Sequence, residues 1–296
     1  MNKTQIKNIA YFIGKTLGVL GLLYVFYKLY QEYTWESFLL QLDILLPTLP
    51  LLIMLNLFSL LLGIYTWCMM LQHYSTERLN YRTAYYYFSK TEISKYLPGN
   101  IFHFVGRQAL ASRIGISQKQ MAKISLLHSL LLLCATVLSS TFFALFSPDI
   151  PGSILTLMGL SCIIALVVTA YMYPSFPIGK KNIMNLYLSI SIAFQGIMLA
   201  VIIYMLQDDM SLGLFFECTG IYIISWLIGF ATPGASGGLG VREGAFIAIS
   251  AFLHIDISTE IIIFSVLLVR FINILVDMLM YLSTFVLKNN IKGLES

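Results

Sequence analysis

Apolar runs about twenty residues long recur along this chain, and they constrain the fold more than any other feature. At 1.5 Å per residue, such a run coiled as a helix covers the roughly 30 Å hydrocarbon core of a membrane. The clearest runs cover residues 8–30, 46–71, 124–146, 153–173, 184–206, 213–231 and 260–287. A large soluble domain is excluded by the scarcity of charge: 11% of the 296 residues are charged, against roughly 25% in an ordinary globular chain. The expected fold class is an all-α polytopic membrane protein, with one integral membrane domain over residues 1–296. The formal net charge of +4 reads as membrane topology, and nucleic acid is not an expected partner.

Two stretches interrupt the pattern. Residues 79–111 mix aromatics with Arg82, Lys90, Glu92 and Lys95 and then break at Pro98-Gly99. Residues 232–253 open with Pro233-Gly234, pass through Gly237, Gly238, Gly240 and Gly244, and only then become apolar. Both read as interrupted or re-entrant segments.

Basic residues orient the spans, because Lys and Arg in short loops stay on the cytoplasmic side. Lys3 and Lys7 precede the first run. Arg78, Arg82, Lys90, Lys95, Arg107, Arg113, Lys119 and Lys123 lie between the second and third, Lys180 and Lys181 follow the fourth, and Lys288 and Lys292 close the chain. The intervening loops carry Glu32, Glu36, Asp43, Asp149, Asp208, Asp209, Asp256 and Glu260, with no Lys or Arg. Both termini are therefore expected in the cytoplasm, with 288–296 as a tail. The run at 8–30 is too long for a signal-peptide core and should remain as the first span. Even parity requires an eighth crossing, for which 237–253 is the better candidate; 79–111, basic on both flanks, is expected to dip in and return.

The two irregular stretches share the spacing P-G-x7-R, as Pro98-Gly99 with Arg107 and as Pro233-Gly234 with Arg242. The copies are 135 positions apart, which makes the halves 1–150 and 151–287 candidate repeats of the kind that carry paired broken helices in transporters. A helix broken at Pro-Gly presents unpaired N–H groups and a partial positive charge. Arginine adds a planar donor fork that grips two oxygens of a phosphate. The bland alternative is that proline and glycine end helices at the interface while the arginines snorkel. Four glycines in 234–243, namely Gly234, Gly237, Gly238 and Gly240, imply close backbone approach or a bound ligand.

Arg270, Asn273 and Asp277 fall three and four residues apart on one face of the last run. Each charge at a span centre costs roughly 2.5–3.5 kcal/mol on insertion scales. Arg270 and Asp277 lie about 10 Å apart in rise, so partners on other helices are expected, with Glu243 a natural one for Arg270. The face reads either as a structural ion pair or as the lining of a polar cavity. His103, four residues before Arg107, is a candidate phosphate donor or proton shuttle, or a satisfied interior histidine. Tyr85-Tyr86-Tyr87-Phe88 reads as an interfacial anchor. Cys68, Cys134, Cys162 and Cys218 have no paired spacing, and His73, His128 and His254 have no metal-ligand neighbours, so neither a metal nor a cofactor is expected.

Lys95-Tyr96-Leu97-Pro98-Gly99-Asn100 with Gly106-Arg107, and Pro233-Gly234 with Gly237-Gly238-Leu239-Gly240-Val241-Arg242-Glu243-Gly244, resemble motifs of the lysylphosphatidylglycerol synthase/flippase membrane-domain family. Arg270 also sits where that family tends to place an arginine. The first motif departs from the family's pattern, which follows Pro-Gly with further glycines and an acidic residue; here 101–105 is apolar except for His103. The resemblance implies a lipid-translocating domain whose headgroup site would include Asn100, His103, Arg107, Arg242, Glu243 and Arg270. Eight residues follow Lys288, so the expectation is a stand-alone domain without the cytoplasmic synthase. Stand-alone relatives are associated with glycan assembly on lipid carriers, implying a glycolipid, a polyprenyl-phosphate-linked glycan or a modified phospholipid as cargo.

The leading expectation is therefore a flippase-like translocase of the bacterial cytoplasmic membrane, with a membrane lipid as its partner. Two alternatives stand beside it. One is an integral membrane enzyme acting on a lipid-linked phosphate, with His103 or Glu243 as acid or base and Asp277 assisting. The other is a non-catalytic partner of a glycosyltransferase or another envelope-assembly protein.

Overall fold

A computed structural model of the protein describes residues 34–75, 79–96, 102–147, 150–172, 176–207, 209–232, 238, 240–255 and 257–288, with positions 16, 23 and 27. Among the described residues all regular structure is helical. The order is α1 (Trp35–Leu45), α2 (Leu49–Tyr74), α3 (Tyr81–Glu92), α4 (Phe102–Leu110), α5 (Gln118–Ala144), α6 (Gly152–Met172), α7 (Ile178–Leu206), α8 (Leu212–Ala231), α9 (Val241–Phe252) and α10 (Thr259–Lys288). Short 3-10 turns occupy Leu46–Thr48, Ile93–Tyr96 and Ala111–Ile114.

Six stretches are long and apolar enough to cross a membrane: Leu39–Tyr74, Gln118–Ala144, Gly152–Tyr171, Ile178–Leu206, Leu212–Ala231 and Thr259–Leu287. They coincide with six of the seven clear runs in the sequence; the run at 8–30 lies outside the described residues. Leu126, Leu157, Ile164 and Phe285 stand outward on these helices, a surface that hydrocarbon solvates and water does not. The chain is an all-α polytopic membrane protein.

The helix boundaries follow from local chemistry. Asn80 caps α3 by accepting from the Thr83 N–H at 2.8 Å. Ser117 and Gln120 form a reciprocal capping box at the start of α5, and Gly115 ends the preceding turn in the left-handed region. Ser211 caps α8, and Pro50 falls in the first turn of α2, where a missing N–H costs nothing.

Helix α7 lies at the centre, against α2, α5, α8 and α10. A Cβ on its Gly196 would come within 2.8 Å of Thr219 on α8, so only glycine permits this crossing. On the other side, Ser59 of α2 donates to the Ser191 carbonyl at 2.8 Å and Ser191 returns a bond to the Ser59 carbonyl at 2.7 Å. Helix α6 is peripheral: 11% of its apolar window is buried, against 56% for α10.

The first irregular stretch becomes two helices, α3 and α4, and the second becomes one, α9, which packs back on α8. In the first stretch, Gly106 of α4 packs against Thr91 at the end of α3, where a Cβ would sit 3.1 Å from its methyl. In the second, Gly229 near the end of α8 faces Arg242 and Gly238. Helix α9 has 12 residues, a rise of about 18 Å. It is shorter than the traversing helix expected over 237–253, because it starts only after the glycine run and ends at Leu253.

Candidate functional site

A cavity of about 180 Å³ opens between the helices. Gly63 of α2, His128 of α5, Ser191 of α7 and Asn273 of α10 line it, and each lies within a turn of the middle of its own spanning helix. The cavity therefore lies level with the middle of these spanning helices. Both fold-back hairpins reach it, bringing Arg107 from α4 and Arg242 from α9, while α10 adds Arg270, Asn273 and Asp277. The two copies of P-G-x7-R thus place their arginines in one chamber, with His103 beside them.

Arg107 is buried and pairs with Glu92 of α3 at 2.9 Å. Its guanidinium also lies over the Phe88 ring, 4.6 Å from the centroid, and over Trp67 at 5.3 Å. Desolvation of a permanent charge is offset there by a carboxylate and two π faces. Lys95 bridges Glu92 at 3.2 Å and Asp277 at 2.8 Å. The Tyr96 hydroxyl donates to the same Asp277 carboxylate at 2.6 Å.

Arg270 donates to Glu243 at 2.5 Å, and both side chains are buried. The expected partner for Arg270 is thus the one found. Asp277 takes its partner from the first hairpin instead, so the two α10 charges are neutralised separately. Arg242 reaches the Tyr222 hydroxyl at 3.4 Å and lies 6.0 Å from the centre of the Trp226 ring. Trp226 stacks on Phe230, and both line the cavity. Among the described residues, the cavity and its ion pairs hold the cations Lys95, Arg107, Arg242 and Arg270 and the carboxylates Glu92, Glu243 and Asp277.

Asn273 accepts a hydrogen bond from Asn56 of α2 and lines the cavity. His103 is buried, and its Nδ1 has no hydrogen-bond partner. Gly238 and Gly240 both have positive φ, +73° and +78°. Gly238 lies with its would-be Cβ 3.1 Å from the Gly229 backbone, so close backbone approach accounts for this glycine. Asn100, Pro98, Gly99, Pro233, Gly234 and Gly237 lie outside the described residues.

Sequence reasoning missed Glu92, Lys95 and Tyr96 as site residues, together with Asn56, Ser59, His128 and Gln195, which all line the cavity. Asn56 and Gln195 are amide side chains inside long apolar runs, and their cost there was the available signal. Among the described residues no group of three His, Cys, Asp or Glu could hold a metal ion.

In comparison with known proteins, no family model matches the chain and no curated protein sequence matches it.

Proposed function

We propose that this protein is a lipid translocase that passes a phosphate-bearing headgroup through the cavity. The observation that carries the reading is the convergence of Arg107, Arg242 and Arg270, from two broken segments and the last helix, on one chamber. Guanidinium forks are the donors best matched to phosphate oxygens. A chamber of about 180 Å³ has room for a phosphate group but not for a whole lipid, so the hydrocarbon chains remain in the bilayer. Movement between faces would come from rocking one hairpin against the other about the fixed site.

The resemblance of 95–107 and 233–244 to the lysylphosphatidylglycerol synthase/flippase motifs supports the same reading. The basic loops support a bacterial cytoplasmic membrane with both termini inside. The candidate cargo is a glycolipid, a polyprenyl-phosphate-linked glycan or a modified phospholipid. The enzyme alternative is weaker because its carboxylates are engaged, Glu243 by Arg270 and Asp277 by Lys95 and Tyr96.

Reconstitution tests the proposal. Purified protein in proteoliposomes should move fluorescent phosphate-bearing lipids between leaflets, read as accessibility to a membrane-impermeant quencher. Movement should fall at least about tenfold in Arg242→Ala, the loss of about 1.4 kcal/mol of cargo stabilisation. Absence of movement for every such lipid, or an Arg242→Ala variant as active as the parent, would refute it.

A further inference from the structure

The cavity has an uncharged polar wall beside its arginines. Gln195 of α7 and Asn273 of α10 line it, both half-buried, and α2 holds each of them by one end. Asn56 donates to Asn273 Oδ1, and Gln195 Nε2 donates to Ser59 Oγ at 3.1 Å. These anchors fix which way the two amides face. Ser59 gives its one proton to Ser191, whose carbonyl lies at 2.8 Å, so its oxygen can only accept from Gln195. Gln195 is left with its acceptor, Oε1, and Asn273, whose oxygen is taken, is left with its donor, Nδ2. Neither of these ends has a partner among the described residues.

The two ends belong to one stretch of wall. Asn56 and Ser59 are three residues apart on α2, a rise of about 4.5 Å, so the amides they hold sit about one turn apart. Arg270 is in turn three residues from Asn273 on α10. The wall therefore offers one acceptor and one donor next to a guanidinium. A hydroxyl is the group that donates and accepts at once. An ionised phosphate oxygen only accepts, and the guanidiniums already suit it. An ammonium only donates; it leaves Asn273 unmatched and lies near Arg270, whose carboxylate partner Glu243 is already paired. An alkyl group satisfies neither amide.

We infer that Gln195 and Asn273 read a hydroxyl carried next to the phosphate of the headgroup, the hydroxyl donating to Gln195 Oε1 and accepting from Asn273 Nδ2. The site then selects hydroxyl-bearing phosphates over ammonium-bearing and alkyl ones. Asn56 and Ser59 are positioning residues, since they act through the amides they hold. The inference rests on the translocase reading and narrows its cargo.

The probes are three fluorescent diacyl phospholipids that share one phosphate diester and differ only in its substituent: glycerol, ethyl or aminoethyl. The purified full chain in proteoliposomes would be assayed for movement of each between leaflets. The glycerol lipid should move at least about tenfold faster than either of the others, because a site that binds a hydroxyl rejects the analogue lacking it. In Gln195→Leu the ratio of the glycerol to the ethyl rate should fall to about one. The wild-type ratio needs no variant, so a Gln195→Leu chain that fails to fold leaves the test intact. A wild-type ratio near one, a faster aminoethyl lipid, or a Gln195→Leu protein that keeps the wild-type ratio overturns the hydroxyl site and leaves the phosphate reading standing. A wild-type chain that moves none of the three overturns both.

Discussion

The two fold-back hairpins anchor to the same helix with opposite polarity. The first sends a cation, Lys95, to the carboxylate of Asp277; the second sends a carboxylate, Glu243, to the guanidinium of Arg270. Seven residues separate the two anchor points on α10, about 10 Å of rise. The two cations of the first hairpin, Arg107 and Lys95, are met by its own Glu92 and by Asp277 of α10. In the second, Glu243 meets Arg270, and Arg242 lies against the Tyr222 hydroxyl and the Trp226 ring. The difference lies in how the two arginines reach the cavity: Arg107 arrives in an ion pair with its own hairpin, Arg242 against a tyrosine hydroxyl and an indole ring.

The largest effect should come from splitting the Arg270–Glu243 pair. Arg270→Met leaves a carboxylate buried in a low-dielectric interior and should cost about 3–5 kcal/mol, read as a lower thermal midpoint and lower yield of folded protein in detergent. Adding Glu243→Gln should recover much of that loss. A double variant no more stable than the single one would mean that the pair is not the anchor. Lys95→Met should cost less, about 1–3 kcal/mol, because Lys95 is partly exposed and the Tyr96 hydroxyl still serves Asp277. Equal losses at the two anchors would erase the contrast between the hairpins.

Smaller effects test the glycine run. Gly238→Ala forces a side chain into φ +73° and against the Gly229 backbone and should cost about 1–2 kcal/mol. Gly244→Ala meets nothing within 4 Å and, inside helix α9, should stabilise by about 0.5–1 kcal/mol. Reversal of that order would mean that the run serves something other than the α8–α9 contact.

The membrane fold was legible because spanning helices need long apolar runs, and six of them appear where the sequence placed them. Arg270 and Glu243 were legible as partners because a charge in mid-membrane must find its complement. The Lys95–Asp277 pair was not, since 182 positions separate its members and Lys95 reads equally well as an interfacial lysine in a basic loop. Asn56 and His128 were hidden differently. A single polar residue in an apolar run carries no spacing to a partner, and only the packing of α2, α5 and α10 brings these side chains to one chamber. Gly238 and Gly244 are told apart only in three dimensions, Gly238 packed on a backbone and Gly244 open.

The central claim is that the arginines of both broken segments and of α10 serve one anion. The most direct measurement is a structure of the protein determined with native lipid retained. The account predicts headgroup density inside the cavity, within hydrogen-bond reach, about 3 Å, of Arg242 and Arg270, and loss of that density in Arg242→Ala. A dry cavity, or lipid density confined to the outer faces of the helices in both proteins, would contradict it.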